Sequence, residues 1–155
     1  MISPTSAISI RPASEADVPA MFAIRLAVRE NAMTAAELAQ AGITPESIAN
    51  AVRSAPCAWV AETAGETVGF AMVDLDDACL FAAFVLPAHE GRGAGSALIR
   101  SCEAMLFGRH PQAWLETAGA SRAARLYRHL GWTDAVAREG GDIRMEKLRP
   151  DGPAT

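Results

Sequence analysis

Hydrophobic and polar positions change their period several times along this chain. At 7–12, Ile8 and Ile10 alternate with polar neighbours, which predicts a strand. From 18 to 28, Phe22, Leu26 and their neighbours fall at helical spacing, and Ser14, three residues before Asp17, supplies the start signal. Pro19 fits only near that start. Thr44-Pro45-Glu46 reads as a cap, a proline at the first helical position and an acid at the positive end, predicting a short helix to 53. Segments 58–62 and 67–74 are β-like and joined through Ala64-Gly65-Glu66, the pattern of an antiparallel hairpin. After an acidic turn at 74–77 comes an apolar run, 79–86, stopped by Pro87. A run apolar on both faces predicts a strand covered on both sides.

Further on, Ala94, Leu98, Cys102 and Met105 share one helical face, and 113–117 reads as another strand. The helix expected over 121–130 ends at Gly131, with Arg128 and His129 in its last turn. Segments near 134–138 and 143–148 would close the sheet. The order β-α-α-β-β-β-α-β-α-β-β gives an α/β (α+β) class, a mixed sheet of about six to seven strands with about four helices on it. Residues 1–149 are expected to form one domain and 150–155 a frayed end. Trp59, Trp114 and Trp132 are expected in the core.

Composition narrows the partners. Half of the 155 residues are apolar, 21% are charged and the net charge is −4. That is a globular profile, and no apolar stretch approaches the ~20 residues that span a bilayer. The first ten residues carry neither a basic nor an apolar signal region, so the expectation is a cytoplasmic protein with no membrane partner. Lys147 is the only lysine, and without a basic tract no nucleic-acid partner is expected. Cys57, Cys79 and Cys102 are odd in number and sit in apolar stretches, as small hydrophobes do. Neither they nor His89, His110 and His129 have metal-ligand spacing, so no metal is expected.

The stretch that carries chemistry is 85–98, Val-Leu-Pro-Ala-His-Glu-Gly-Arg-Gly-Ala-Gly-Ser-Ala-Leu. A strand runs into a glycine-rich turn and then directly into a helix. Backbone N–H groups left unpaired at such a helix start, together with the helix dipole, suit a phosphate. Gly91, Gly93 and Gly95 would let a ligand approach the backbone with no Cβ in the way. The Walker loop is excluded because no Gly-Lys-Ser/Thr follows. The dinucleotide fingerprint is excluded by its missing third glycine and by the antiparallel meander upstream.

This turn resembles the pyrophosphate loop of the GNAT superfamily of acyl-CoA N-acyltransferases, whose pattern is Gln/Arg-x-x-Gly-x-Gly/Ala. Gly93 and Gly95 hold its two small positions, and Arg92 is the basic residue of the loop. A second segment, Ala120-Ser-Arg-Ala-Ala-Arg-Leu-Tyr-Arg-His-Leu-Gly-Trp132, resembles that family's Asn-x-x-Ala-x-x-Phe-Tyr-x-x-x-Gly-Phe. The inferred element order is similar to the superfamily's over nearly the whole chain. Two positions depart from the pattern. Glu90 stands where Gln or Arg is usual, with its carboxylate expected to turn away from the phosphates, and Ala120 stands where Asn often meets the cofactor.

The resemblance implies acetyl-CoA as co-substrate, held by Phe84, Val85, Glu90, Gly91, Arg92, Gly93, Ala94, Gly95, Ser96, Ala120 and Tyr127. It also implies direct transfer to an amine without a covalent enzyme intermediate. Backbone N–H near Phe84 and Val85 would polarise the thioester carbonyl, and Tyr127 would protonate the departing thiolate. Arg29, Glu30 and Asn31 would select a small-molecule or peptide amine acceptor. Glu30, Glu62 and Glu116 are candidates for a base, alongside water. A non-catalytic acyl-CoA sensor of the same fold is the alternative, and a homodimer is left open.

Overall fold

The computed structural model describes residues 7–150; the expected frayed end lies, apart from Pro150, outside the described residues. Strand β1 (Ser9–Pro12) leads through a 3-10 turn at Glu15–Asp17 into α1 (Val18–Ala27). Two further helices follow, α2 (Ala35–Gln40) and α3 (Pro45–Ser54). Strands β2 (Ala58–Thr63), β3 (Glu66–Asp74) and β4 (Cys79–Val85) form a meander. Then come α4 (Ala94–Phe107), β5 (Gln112–Ala118), α5 (Arg122–His129), β6 (Thr133–Ala137) and β7 (Asp142–Leu148).

The seven strands lie in the order β1-β2-β3-β4-β5-β7-β6. Every pairing is antiparallel except that of β4 with β5. The β2–β3 hairpin turns through Ala64 and Gly65, both at positive φ, as the tightest hairpin turns require. A Cβ on Gly69 of β3 would touch Leu98 of α4 and Val85, whereas Phe84 meets Arg25 of α1. Successive residues of a strand point to opposite faces, so α1 and α4 cover opposite sides of the sheet. Among the described residues no helix is long and apolar enough to cross a membrane.

Several expectations are corrected. Helix α2 adds a fifth helix: Thr34 Oγ1 accepts from Glu37 N–H at 3.1 Å, while the Glu37 carboxylate accepts from Thr34 N–H at 3.0 Å. This reciprocal cap and the fully buried Leu38 hold six residues helical without a long apolar stripe. In α1 the buried face is Val18, Met21, Ile24 and Arg25, one residue offset from the expected one, and Leu26 is 47% exposed. Strand β4 is not covered on both faces: Phe81 is 47% exposed and the residues after it are only half-buried. Trp59 and Trp132 are core residues. Trp114 instead lies half-buried under the Arg144 guanidinium, 4.3 Å from its ring centre.

The start of α1 is pinned electrostatically. Arg11 on β1 donates to both Asp17 carboxylate oxygens, at 2.8 and 2.7 Å, and also pairs with Glu62 on β2. The guanidinium holds the Asp17 carboxyl down, at about 2. A depressed carboxyl contributes stability that is complete above its ordinary value near 4 and is lost as the pH falls through about 2. The melting temperature is therefore expected to drop between about pH 4 and pH 2, and Arg11→Met should flatten that part of the profile. An unchanged acid slope in Arg11→Met would remove the pair as its source.

Candidate active site

Strands β4 and β5 pair at one register position, Cys79 with Trp114, where Trp114 N–H donates to the Ala78 carbonyl at 3.0 Å. From there β5 gives its other edge to β7 along its whole length, and the two parallel strands part. Leu86 N–H donates to the Val68 carbonyl at 2.8 Å. Alternation along an antiparallel ladder then turns Phe84 N–H towards β3 and Val85 N–H to the free edge.

A cavity of about 360 Å³ occupies the opening, within the size range of small-ligand sites. Its walls come from Phe84 and Val85 of β4, Thr117 and Ala118 of β5, and Tyr127 of α5. The glycine turn and the first turn of α4 add Glu90, Gly91, Gly93, Gly95 and Ser96. Glu30 and Asn31, after α1, complete it. Three stretches of chain, the segment after α1, the run from β4 into α4 and the run from β5 into α5, thus meet at one opening.

The turn leaves backbone donors open, an arrangement that can receive an anion. Gly93 precedes α4 with φ +92° and no side chain to cap it. The first helical hydrogen bond runs from Ala97 N–H to the Gly93 carbonyl at 3.1 Å, leaving the N–H groups of Ala94, Gly95 and Ser96 for a ligand. A Cβ built on Gly91 or Gly93 would meet nothing within 4 Å, so the backbone is open to approach. Gly95 differs: its Cβ would sit 3.1 Å from Leu126 Cδ2. That glycine allows α4 and α5 to pack closely.

Tyr127 is 5% exposed and packs edge-on to Trp132, ring centres 5.9 Å apart. Burial above all, then the nearby Cys102 and Cys79, raises its pKa, so the phenol stays protonated at neutral pH. The three cysteines are free and buried, and burial pushes the Cys79 thiol up to about 12. Among the described residues no group of His, Cys, Asp and Glu is placed to hold a metal ion.

The remaining sequence candidates scatter. Arg29 and Ala120 are not on the cavity wall, and Ala94 is buried in the core. Arg92 faces a separate depression with Ile8, Thr63 and Glu66. Of the possible bases, Glu116 lines the cavity and lies 3.5 Å from Arg138. Glu62 is engaged by Arg11, away from the opening. Glu30 accepts from Arg122 N–H, 3.1 Å to each oxygen. Sequence reading missed three residues. Arg122 pairs with Glu90 at 3.2 Å. His89 lines the cavity with its Nδ1 buried and unpartnered among the described residues. Arg25, 8% exposed, sits 4.4 Å above the Phe84 ring with Nη1 likewise unpartnered. Only Arg122 left a signal, an arginine at the start of the second family-like segment.

A mixed sheet parted between its two parallel strands, with a phosphate-ready helix start at the mouth, defines the GNAT class of acetyltransferases. The sequence agrees: residues 54–134 match the family model described as "Acetyltransferase (GNAT) domain", and the chain belongs to that family. Solved structures share the fold. Ard1 from Thermoplasma volcanium superposes with a TM-score of 0.75 at 18% identity, over 94% of this chain and 99% of that one. PaiA N-acetyltransferase from Thermoplasma acidophilum, solved with coenzyme A, gives 0.71 at 17%, over 92% and 99%. The ribosomal-protein-S18-alanine N-acetyltransferase of Escherichia coli gives 0.66 at 24%, over 96% and 99%. No curated protein matches the sequence significantly.

Proposed function

We propose that this protein is an N-acetyltransferase that moves the acetyl group of acetyl-CoA to a primary amine by direct attack. The observation that carries the reading is the free edge of β4. It presents Val85 N–H to a cavity that also holds the protonated Tyr127 and the open start of α4. The coenzyme-A complex of PaiA and the amine chemistry named for the Escherichia coli enzyme support the same assignment on a shared fold.

In this reading the N–H groups of residues 94–96 hold the pyrophosphate and the open edge of β4 pairs with the pantetheine arm. Acetyl-CoA supplies the acyl group as a thioester. Val85 N–H stabilises the carbonyl oxygen as charge develops there. The amine nitrogen bonds to the carbonyl carbon, the C–S bond breaks, and Tyr127 gives its proton to the sulfur. The proton lost by the amine passes to water, and Tyr127 is reprotonated from solvent. The buried thiols are poor nucleophiles, which fits a path without an acyl-enzyme. Glu30 and Asn31, which line the cavity, are the acceptor-selecting residues in this reading.

The test is release of free thiol from acetyl-CoA across a panel of amino acids, polyamines, aminoglycosides and peptides. Amine-dependent release is expected for at least one class. If the protein binds CoA tightly yet no amine accelerates release, it is an acyl-CoA sensor and the catalytic reading is wrong.

A further inference from the structure

Two distant segments converge on Arg122, the first residue of α5. Its backbone N–H is held by the Glu30 carboxylate from the α1–α2 connection, at 3.1 Å to each oxygen. Its guanidinium Nη1 lies 3.2 Å from Glu90 Oε2, on the glycine turn. Ser121 fixes the same turn of helix, its Oγ accepting from Ala124 N–H at 3.0 Å. Glu90 and Arg122 both line the cavity that the open start of α4 faces. The carboxylate that is anomalous beside a phosphate site is therefore spent on a cation that the loop itself lacks there, since Arg92 faces elsewhere.

We infer that Arg122 is a cofactor-phosphate ligand and that Glu90 is its positioning residue. The inference rests on the CoA reading above. A guanidinium carries five donors, more than one carboxylate 3.2 Å from its Nη1 takes up, so others remain for phosphate oxygens. An arginine side chain 60% exposed would otherwise sample many rotamers. Holding it at the mouth before the ligand arrives removes part of the ordering penalty of binding. A diphosphate then sits between the amides of residues 94–96 and Arg122, and the negative charge of Glu90 is offset by the residue it orients. The opposite possibility is a latch, in which the same pair bars the mouth and must break for CoA to enter. The two differ in sign.

The experiment is calorimetric titration of CoA into wild type, Arg122→Ala, Glu90→Gln and the double variant, at low and high salt. Both side chains are well exposed, and unliganded melting temperatures report that the fold persists. Arg122→Ala is expected to weaken CoA about 10–100-fold, as for loss of a charge-assisted contact, and to reduce the salt dependence. Glu90→Gln is expected to weaken CoA about threefold in the wild-type background and, once Arg122 is gone and the carboxylate stands uncompensated beside the phosphates, not to weaken it further. Tighter binding by Glu90→Gln would establish the latch and overturn the assignment. Wild-type CoA affinity in Arg122→Ala would overturn it as well. Wild type failing to bind CoA would instead sink the acetyl-CoA reading itself, and this inference with it.

Discussion

Replacing Tyr127 with phenylalanine is expected to lower turnover by about 10²–10⁴ while leaving acetyl-CoA affinity nearly unchanged. As the C–S bond breaks, negative charge develops on sulfur, and a donor at that point acts only in the transition state. Losing it therefore lowers kcat and kcat/KM together. The Tyr127 ring is buried against Trp132, and phenylalanine keeps that packing. Because burial raises the phenol's pKa above its ordinary value near 10, the wild-type donor stays loaded across the neutral range. The linkage runs the same way: Tyr127's contribution to stability holds below about pH 10 and is lost at higher pH. Steady-state and single-turnover rates check this. Full turnover in a folded Tyr127→Phe protein, with chemistry shown to be rate-limiting, would remove Tyr127 and leave water as the acid.

Gly93→Val is expected to abolish stabilisation by CoA. In wild type, CoA at 100 times its dissociation constant adds about 2.7 kcal/mol, on the order of 5–10 °C for a domain of this size. A Cβ at Gly93 enters open space, and a β-branched side chain there blocks the approach to the helix start. The substitution also strains a residue at φ +92°, a penalty on the order of 1–3 kcal/mol. Gly42→Val separates the two effects, because Gly42 has φ +82°, equally open space and no place on the cavity wall. Thermal melts with and without CoA give the answer. Gly42→Val should melt lower yet keep its CoA shift, whereas Gly93→Val should melt lower and lose it. A full CoA shift in folded Gly93→Val would move the pyrophosphate elsewhere.

The signals that proved readable were local ones. Thr44-Pro45 set the start of α3, Ala64-Gly65 the tightest hairpin, and Gly93 the entry to α4, because each depends on the dihedrals of a few adjacent residues. Tyr127 was legible as a candidate through the segment that resembles the family pattern, and it lines the cavity. Helix α2 was written in Thr34 and Glu37 but passed over, since six residues cannot show a full amphipathic stripe. Nothing near Arg25 in sequence reveals that Phe84 lies beneath it.

By itself, then, the sequence determined the types and order of the elements other than α2, the glycine turn that opens α4 and the presence of a single tyrosine, Tyr127. These follow from backbone conformational preference and from hydrophobic period, which act over a few residues. Only the tertiary structure decided that β4 and β5 part after Cys79 and Trp114, that Val85 N–H faces the gap, that Gly95 serves packing, and that Glu90 meets Arg122. Strand neighbours and ion pairs of this kind join segments far apart in the chain. Their energies depend on which surfaces the whole fold brings within a few ångströms, and no local pattern of side chains encodes that.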